Sequence, residues 1–122
     1  MPSLARILLV EDDADVRGTL AELLSERGYE VSCAGNGEEA LAELASDEAP
    51  NAILLDLAMP VMDGWTFRMR QRLDPRLARI PTVVISANVP SDPREVMRLG
   101  AAAMLAKPFE LDRLVETLRR VC

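Results

Sequence analysis

Two kinds of apolar pattern take turns along this chain. Short, largely apolar runs occur at residues 5–10, 53–55, 80–86 and 101–106, Tyr29 to Ala34 reads as a further strand, and between most of them apolar residues recur every three or four positions. An unbroken run fits a strand covered on both faces, and the three-to-four spacing fits a helix with one buried stripe. The first helix carries Val16, Leu20, Leu23 and Leu24 and closes at Gly28, in the place of a C-terminal cap. Gly35-Asn36-Gly37 turns the second strand into a helix with Ala40, Leu41, Leu44 and Ala45 on its inner face. The third helix, Trp65 to Leu73, has a weak period: Trp65, Met69 and Leu73 share a face, and Phe67 lies off it. Asp74-Pro75 stops that helix, and Pro81 falls near the beginning of the fourth strand, where a missing N–H is tolerated. A short helix over Asp92–Leu99 stops at Gly100. Residues 101–106 suit helix or strand by propensity, and their length and position between helices select a strand. Leu111, Leu114, Val115, Leu118 and Val121 then form the clearest amphipathic helix of the chain.

Five strands alternating with five helices through short connections imply a parallel sheet with right-handed crossovers and helices on both faces. The expected fold is doubly wound α/β, with residues 1–122 as a single domain and no output domain in the sequence. Composition narrows the function without changing that picture. The net charge of −6 lacks the phosphate-neutralising surface that supplies most nucleic-acid affinity, so direct DNA binding is not expected. Two cysteines, Cys33 and Cys122, make no disulfide framework, and no run approaches the ~20 apolar residues of a membrane span. A cytoplasmic protein, away from membranes, is the expectation.

Open parallel sheets bind ligands just beyond the carboxyl ends of their strands. Those ends carry Glu11 and Asp12 after the first strand, Asp56 after the third, Ser86 after the fourth and Lys107 after the fifth. Clustered carboxylates repel by ~4 kcal/mol per pair at 4 Å and an effective dielectric of ~20, so such a site asks for a cation. Oxygen ligands point to Mg2+, with Mn2+ as the second choice. In phosphoryl transfer Asp56 would attack phosphorus and form an aspartyl phosphate. Glu11, Asp12 and Asp56 would hold the metal, with the backbone carbonyl of Ala58 as a further ligand. Lys107 would neutralise a phosphoryl oxygen and the Ser86 hydroxyl would donate to another. Asp13 reads as a helix cap, Asp63 as a turn residue, and Trp65, Phe67 and Phe109 as packing residues. Arg68, Arg70, Arg72, Arg76 and Arg79 read as a solvated face.

Together Val10-Glu11-Asp12-Asp13, the stretch from Asp56 to Gly64, Ser86-Ala87 and Lys107-Pro108-Phe109 resemble a response-regulator receiver domain, over residues 5–122. The resemblance implies a (βα)5 flavodoxin-like fold that takes a phosphoryl group onto Asp56 from a histidine kinase or histidine phosphotransfer protein, using magnesium. It also implies a cis Lys107-Pro108 bond. Such a domain catalyses only its own phosphorylation and dephosphorylation. It signals to a downstream protein through the Asp92–Leu99 helix, the fifth strand and the C-terminal helix. The aromatic switch residue of many receivers is replaced here by Met104, which has neither hydroxyl nor rigid ring; Ser86 is the other switch position. Two alternatives stand beside this reading. One is a receiver excised from a hybrid kinase or a transcription factor. The other is a small phosphohydrolase with an Asp nucleophile, which needs a second acid two positions on, where this chain has Ala58.

Overall fold

Each apolar run becomes a strand in the computed structural model, which describes residues 5–46, 49–57, 62–87, 94 and 98–122. The strands are β1 (Arg6–Val10), β2 (Glu30–Ala34), β3 (Ala52–Asp56), β4 (Thr82–Ser86) and β5 (Ala103–Ala106). All pairings are parallel, in the order β2-β1-β3-β4-β5. The winding reverses between β1 and β3, and this switch point opens a crevice at their carboxyl ends. The helices are α1 (Ala14–Glu26), α2 (Gly37–Leu44), α3 (Gly64–Leu73), the single turn α4 (Pro75–Ala78) and α5 (Leu111–Val121).

Alternation within the strands divides the core into two layers. Ile7, Leu9 and Leu54 pack with Leu20 and Leu24 of α1 and with Leu114, Val115 and Leu118 of α5. Leu8, Val10, Ile53 and Leu55 face the other way, onto Ala40 and Leu44 of α2 and Phe67 of α3. Every residue of β3 is buried, as its unbroken apolar run requires. The helix ends follow the expected chemistry. Asp13 caps α1 by accepting from the backbone N–H of Asp15 and Val16, and Asp63 caps α3 by accepting from Thr66. At the other end of α1, Gly28 takes φ 96°, with its N–H on Ser25 O and the Tyr29 N–H on Leu24 O. That pair of bonds is a Schellman closure.

The third helix overturns its expected face. Met69 and Leu73 are 65% and 77% exposed, whereas Gly64, Phe67, Arg68 and Gln71 are buried. The polar pair belongs inside because both side chains donate to backbone carbonyls buried beside them. Gln71 Nε2 donates to Leu77 O (3.0 Å) and Ile80 O (3.1 Å), while the Thr82 hydroxyl donates to Gln71 Oε1 (3.2 Å). The arginines are likewise no uniform solvated face, since Arg68 is buried and Arg76 Nη2 donates to Leu44 O at 3.2 Å. Asp74-Pro75 ends α3 but starts another turn, with Asp74 capping α4 and Pro75 at its first position, where a missing N–H costs nothing.

Smaller departures concern element ends. Ala45 is exposed as the cap of α2, β4 begins after Pro81, and β5 begins at Ala103. Most of the Asp92–Leu99 helix lies outside the described residues. Arg98 and Leu99 are helical, and Gly100 at φ 56° closes the turn as expected. Among the described residues no helix is long and apolar enough to cross a membrane.

Candidate functional site

Parallel pairing brings distant strand ends to one edge. Val10 pairs with Leu55, so Glu11 and Asp56 leave adjacent strands side by side. The Glu11 N–H continues the ladder to Ala34 O at 3.0 Å, and the Arg17 guanidinium donates to Glu11 O at 2.8 Å from the first turns of α1. On the other side Ser86 pairs with Ala106, and the Lys107 N–H donates to Ser86 O at 2.9 Å. The Lys107-Pro108 bond is cis, as the resemblance implied.

Within this crevice Glu11, Asp56 and Ser86 are buried and Asp12 is exposed. Lys107 Nζ donates to Glu11 Oε1 at 2.9 Å and to Asp56 Oδ2 at 3.3 Å. Burial, followed by the neighbouring Asp56 carboxylate, raises the Glu11 pKa to about 7 even with Lys107 beside it. Burial works against the Lys107 charge, but Glu11 and Asp56 outweigh it and hold the ammonium above its ordinary value.

The donor set fits a divalent cation. Glu11, Asp12 and Asp56 each offer a carboxylate oxygen, all within 4.8 Å of one another. Glu11 Oε2 is buried without a hydrogen-bond partner, an acceptor position that hard-cation coordination would satisfy. The Ala58 carbonyl lies outside the described residues. Met104 is half-buried, paired with Val84 in the sheet and packed against a cluster of Leu57, Val84 and Leu99.

Three features of the site escaped the sequence pattern. Arg17 was signalled only as a basic residue one turn after the acids. Gly64 lies so close to the end of β3 that an added Cβ would come within 2.7 Å of Asp56 O. Met62 similarly fills the space over Gly37, whose N–H donates to Met62 O at 3.3 Å.

A doubly wound domain with a carboxylate cluster and a lysine at its switch point is the class that fold and site define. The family model of the response regulator receiver domain matches residues 7–119, and the chain belongs to that family. It is 43% identical over 108 residues to the response regulator PleD of Caulobacter vibrioides, covering 87% of this chain and 23% of PleD. It is 39% identical over 115 residues to the transcriptional regulatory protein PrrA of Mycobacterium leprae, covering 93% of this chain and 48% of PrrA. The chain thus spans about a quarter to a half of these curated relatives. Among solved structures, chemotaxis protein CheY4 of Vibrio cholerae superposes with a TM-score of 0.87 at 31% identity, covering 98% of this chain and 100% of that one. Response regulator TrrA of Thermotoga maritima, solved in complex with Mg(2+)-BeF, gives 0.83 at 30% identity, covering 98% and 100%. The protein is a receiver domain of two-component response regulators, a family of phosphoacceptors that bind Mg2+ at an acidic pocket; the hydrolase alternative is not favoured.

Proposed function

We propose that Asp56 is the phosphoacceptor and that the phosphoryl group comes from a phosphohistidine of a histidine kinase or phosphotransfer protein. The observation that carries this reading is the convergence of Asp56 with Glu11, Asp12 and Lys107 at one sheet edge. An Asp56 carboxylate oxygen forms the new bond to phosphorus as the phosphorus–nitrogen bond to the donor imidazole breaks, its electron pair returning to nitrogen. Lys107 holds Asp56 in place beforehand and its ammonium remains to neutralise phosphoryl oxygen. Ser86, buried at the end of β4, supplies a hydroxyl to a second oxygen. Glu11, Asp12 and Asp56 would hold Mg2+, and the Ala58 carbonyl would be a further ligand. When bound, the metal supplies positive charge that offsets the phosphoryl charge. The TrrA complex with Mg(2+)-BeF supports this assignment by likeness of fold.

Turnover of external substrates is not part of this reading. The domain acts by contact, through the surface that β5, α5 and the helix ending at Leu99 share, with Met104 repacking between Leu57 and Leu99. Mixing the protein with Mg2+ and acetyl phosphate tests the assignment: intact mass should show one added phosphoryl group, absent in Asp56→Asn. Equal labelling of that variant would overturn it.

A further inference from the structure

One buried guanidinium in this protein has no acid partner among the described residues. Arg68 is 6% exposed, and its Nε donates to Leu99 O at 2.6 Å while Nη2 donates to Gly100 O at 2.8 Å. Arg72, one turn further along α3, donates from Nη1 to Arg98 O. Three consecutive carbonyls at the end of a helical turn, which no later turn can satisfy, therefore take their donors from α3. A helix C-terminus concentrates partial negative charge, so cations are favoured there. The arrangement is nonetheless costly. Arg68 Nη1 is buried without a hydrogen-bond partner, and an apolar side chain of similar size would fill the space without desolvating a charge.

What this clamp holds lies directly behind the carboxylate site. Leu99 is 1% exposed and packs with Leu57 and Val84; Trp65, Ala101 and Met104 pack against the same cluster. Leu57 follows Asp56 in sequence, and the Gly64 N–H donates to Leu57 O at 2.9 Å. Helix α3 is thus bonded at its first residue to the strand end that carries Asp56. About 6 Å along its axis at Arg68, and about 12 Å along at Arg72, it is bonded to the turn that feeds β5. That turn is pressed against the clamp: a Cβ on Gly100 would lie 3.3 Å from Arg72 Nη1 and 3.6 Å from Arg68 Nη2.

We propose that Arg68, assisted by Arg72, is a positioning residue that makes α3 a rigid link between Asp56 and residues 98–106. The link presupposes Asp56 as the phosphoacceptor. It supplies the mechanical connection that Met104, lacking a rigid ring, does not. Movement of Leu57 on phosphorylation then shifts Leu99 through two routes, side-chain packing and the α3 hydrogen bonds, and the second holds the first in register.

The test is amide hydrogen exchange of the parent and Arg68→Met, each with Mg2+ and acetyl phosphate, with occupancy read by intact mass on the same samples. In the parent, exchange at residues 101–105 should change by about fivefold or more on phosphorylation. Arg68→Met should take up the phosphoryl group to the same occupancy, yet show changes confined to the ends of β3 and β4. A phosphorylated Arg68→Met whose changes still reach residues 101–105 overturns the link, even if the variant melts earlier, because a purely structural role predicts that outcome. If Arg68→Met does not fold, Arg72→Gln removes one donor at an exposed position. It should weaken the distant change, and a full-sized response in that variant overturns the link as well. A parent that acquires no phosphoryl group would overturn the phosphoacceptor reading together with the link.

Discussion

Gly64→Ala tests how closely α3 is seated on the end of β3. The added Cβ would meet Leu57 Cα at 2.6 Å, Asp56 O at 2.7 Å and Leu57 Cδ2 at 3.0 Å. Two of these atoms are main chain in a buried segment, so no side-chain rotation relieves the overlap. Overpacking costs about 1–3 kcal/mol, and a clash with backbone belongs at the upper end, about 3 kcal/mol. At about 4 °C per kcal/mol for a domain of this size, Tm should fall by about 12 °C. Gly18→Ala is the internal control, since nothing lies within 4 Å of its Cβ and it sits exposed in the middle of α1. That substitution should stabilise by about 0.5–1 kcal/mol by removing backbone freedom from the unfolded chain. Thermal unfolding by far-ultraviolet circular dichroism reads both. A Gly64→Ala protein melting within about 2 °C of the parent would refute the close-seating argument.

Three further outcomes are expected. The carboxyl of Glu11 has a folded pKa of about 7, above its ordinary value of 4.5, because burial disfavours its charge. Its stabilising contribution is therefore complete below about pH 4.5 and lost as pH rises through about 7, on the order of 3 kcal/mol. Urea unfolding without metal should show that decline and Mg2+ affinity should rise over the same window, whereas Glu11→Gln should flatten both; a parent equally stable at about pH 5 and about pH 8 would sink the idea. Gln71→Leu removes one of two donors from each of the Leu77 and Ile80 carbonyls, the Ile80 N–H and the Thr82 hydroxyl remaining, and should cost about 1–2 kcal/mol, read as a lower urea midpoint at unchanged m-value. Lys107→Ala should slow phosphorylation by acetyl phosphate about 10²–10³-fold at saturating Mg2+, measured by intact mass against time; an unchanged rate would remove Lys107 from the chemistry.

How far the sequence was readable depended on where each residue's partners lie. The strands and the α5 stripe were legible because both layers of the core are apolar, and apolar periodicity is the signal that burial leaves. Helix α3 was misread for the same reason. Arg68 and Gln71 face inward to meet the carbonyls of Leu99, Gly100, Leu77 and Ile80, and nothing in a hydrophobic pattern marks a buried donor whose acceptors are backbone atoms. The acids and Lys107 were legible because parallel topology gathers strand ends. Arg17 was not, since its contact is a main-chain carbonyl. The Gly64 approach depends on an interaxial distance that only packing sets.

The lysine bridge also orders events during synthesis. Glu11, Asp12 and Asp56 all leave the ribosome well before Lys107, which reaches Glu11 across 96 positions and Asp56 across 51. Lys107 follows β5, an edge strand hydrogen-bonded to β4, so the bridge forms only after the sheet has been extended across its full width. Until then two carboxylates destined for burial lack this counter-charge, and burying them early is penalised. Closing the crevice over both carboxylates is therefore favoured only once β5 has docked and brought Lys107 with it.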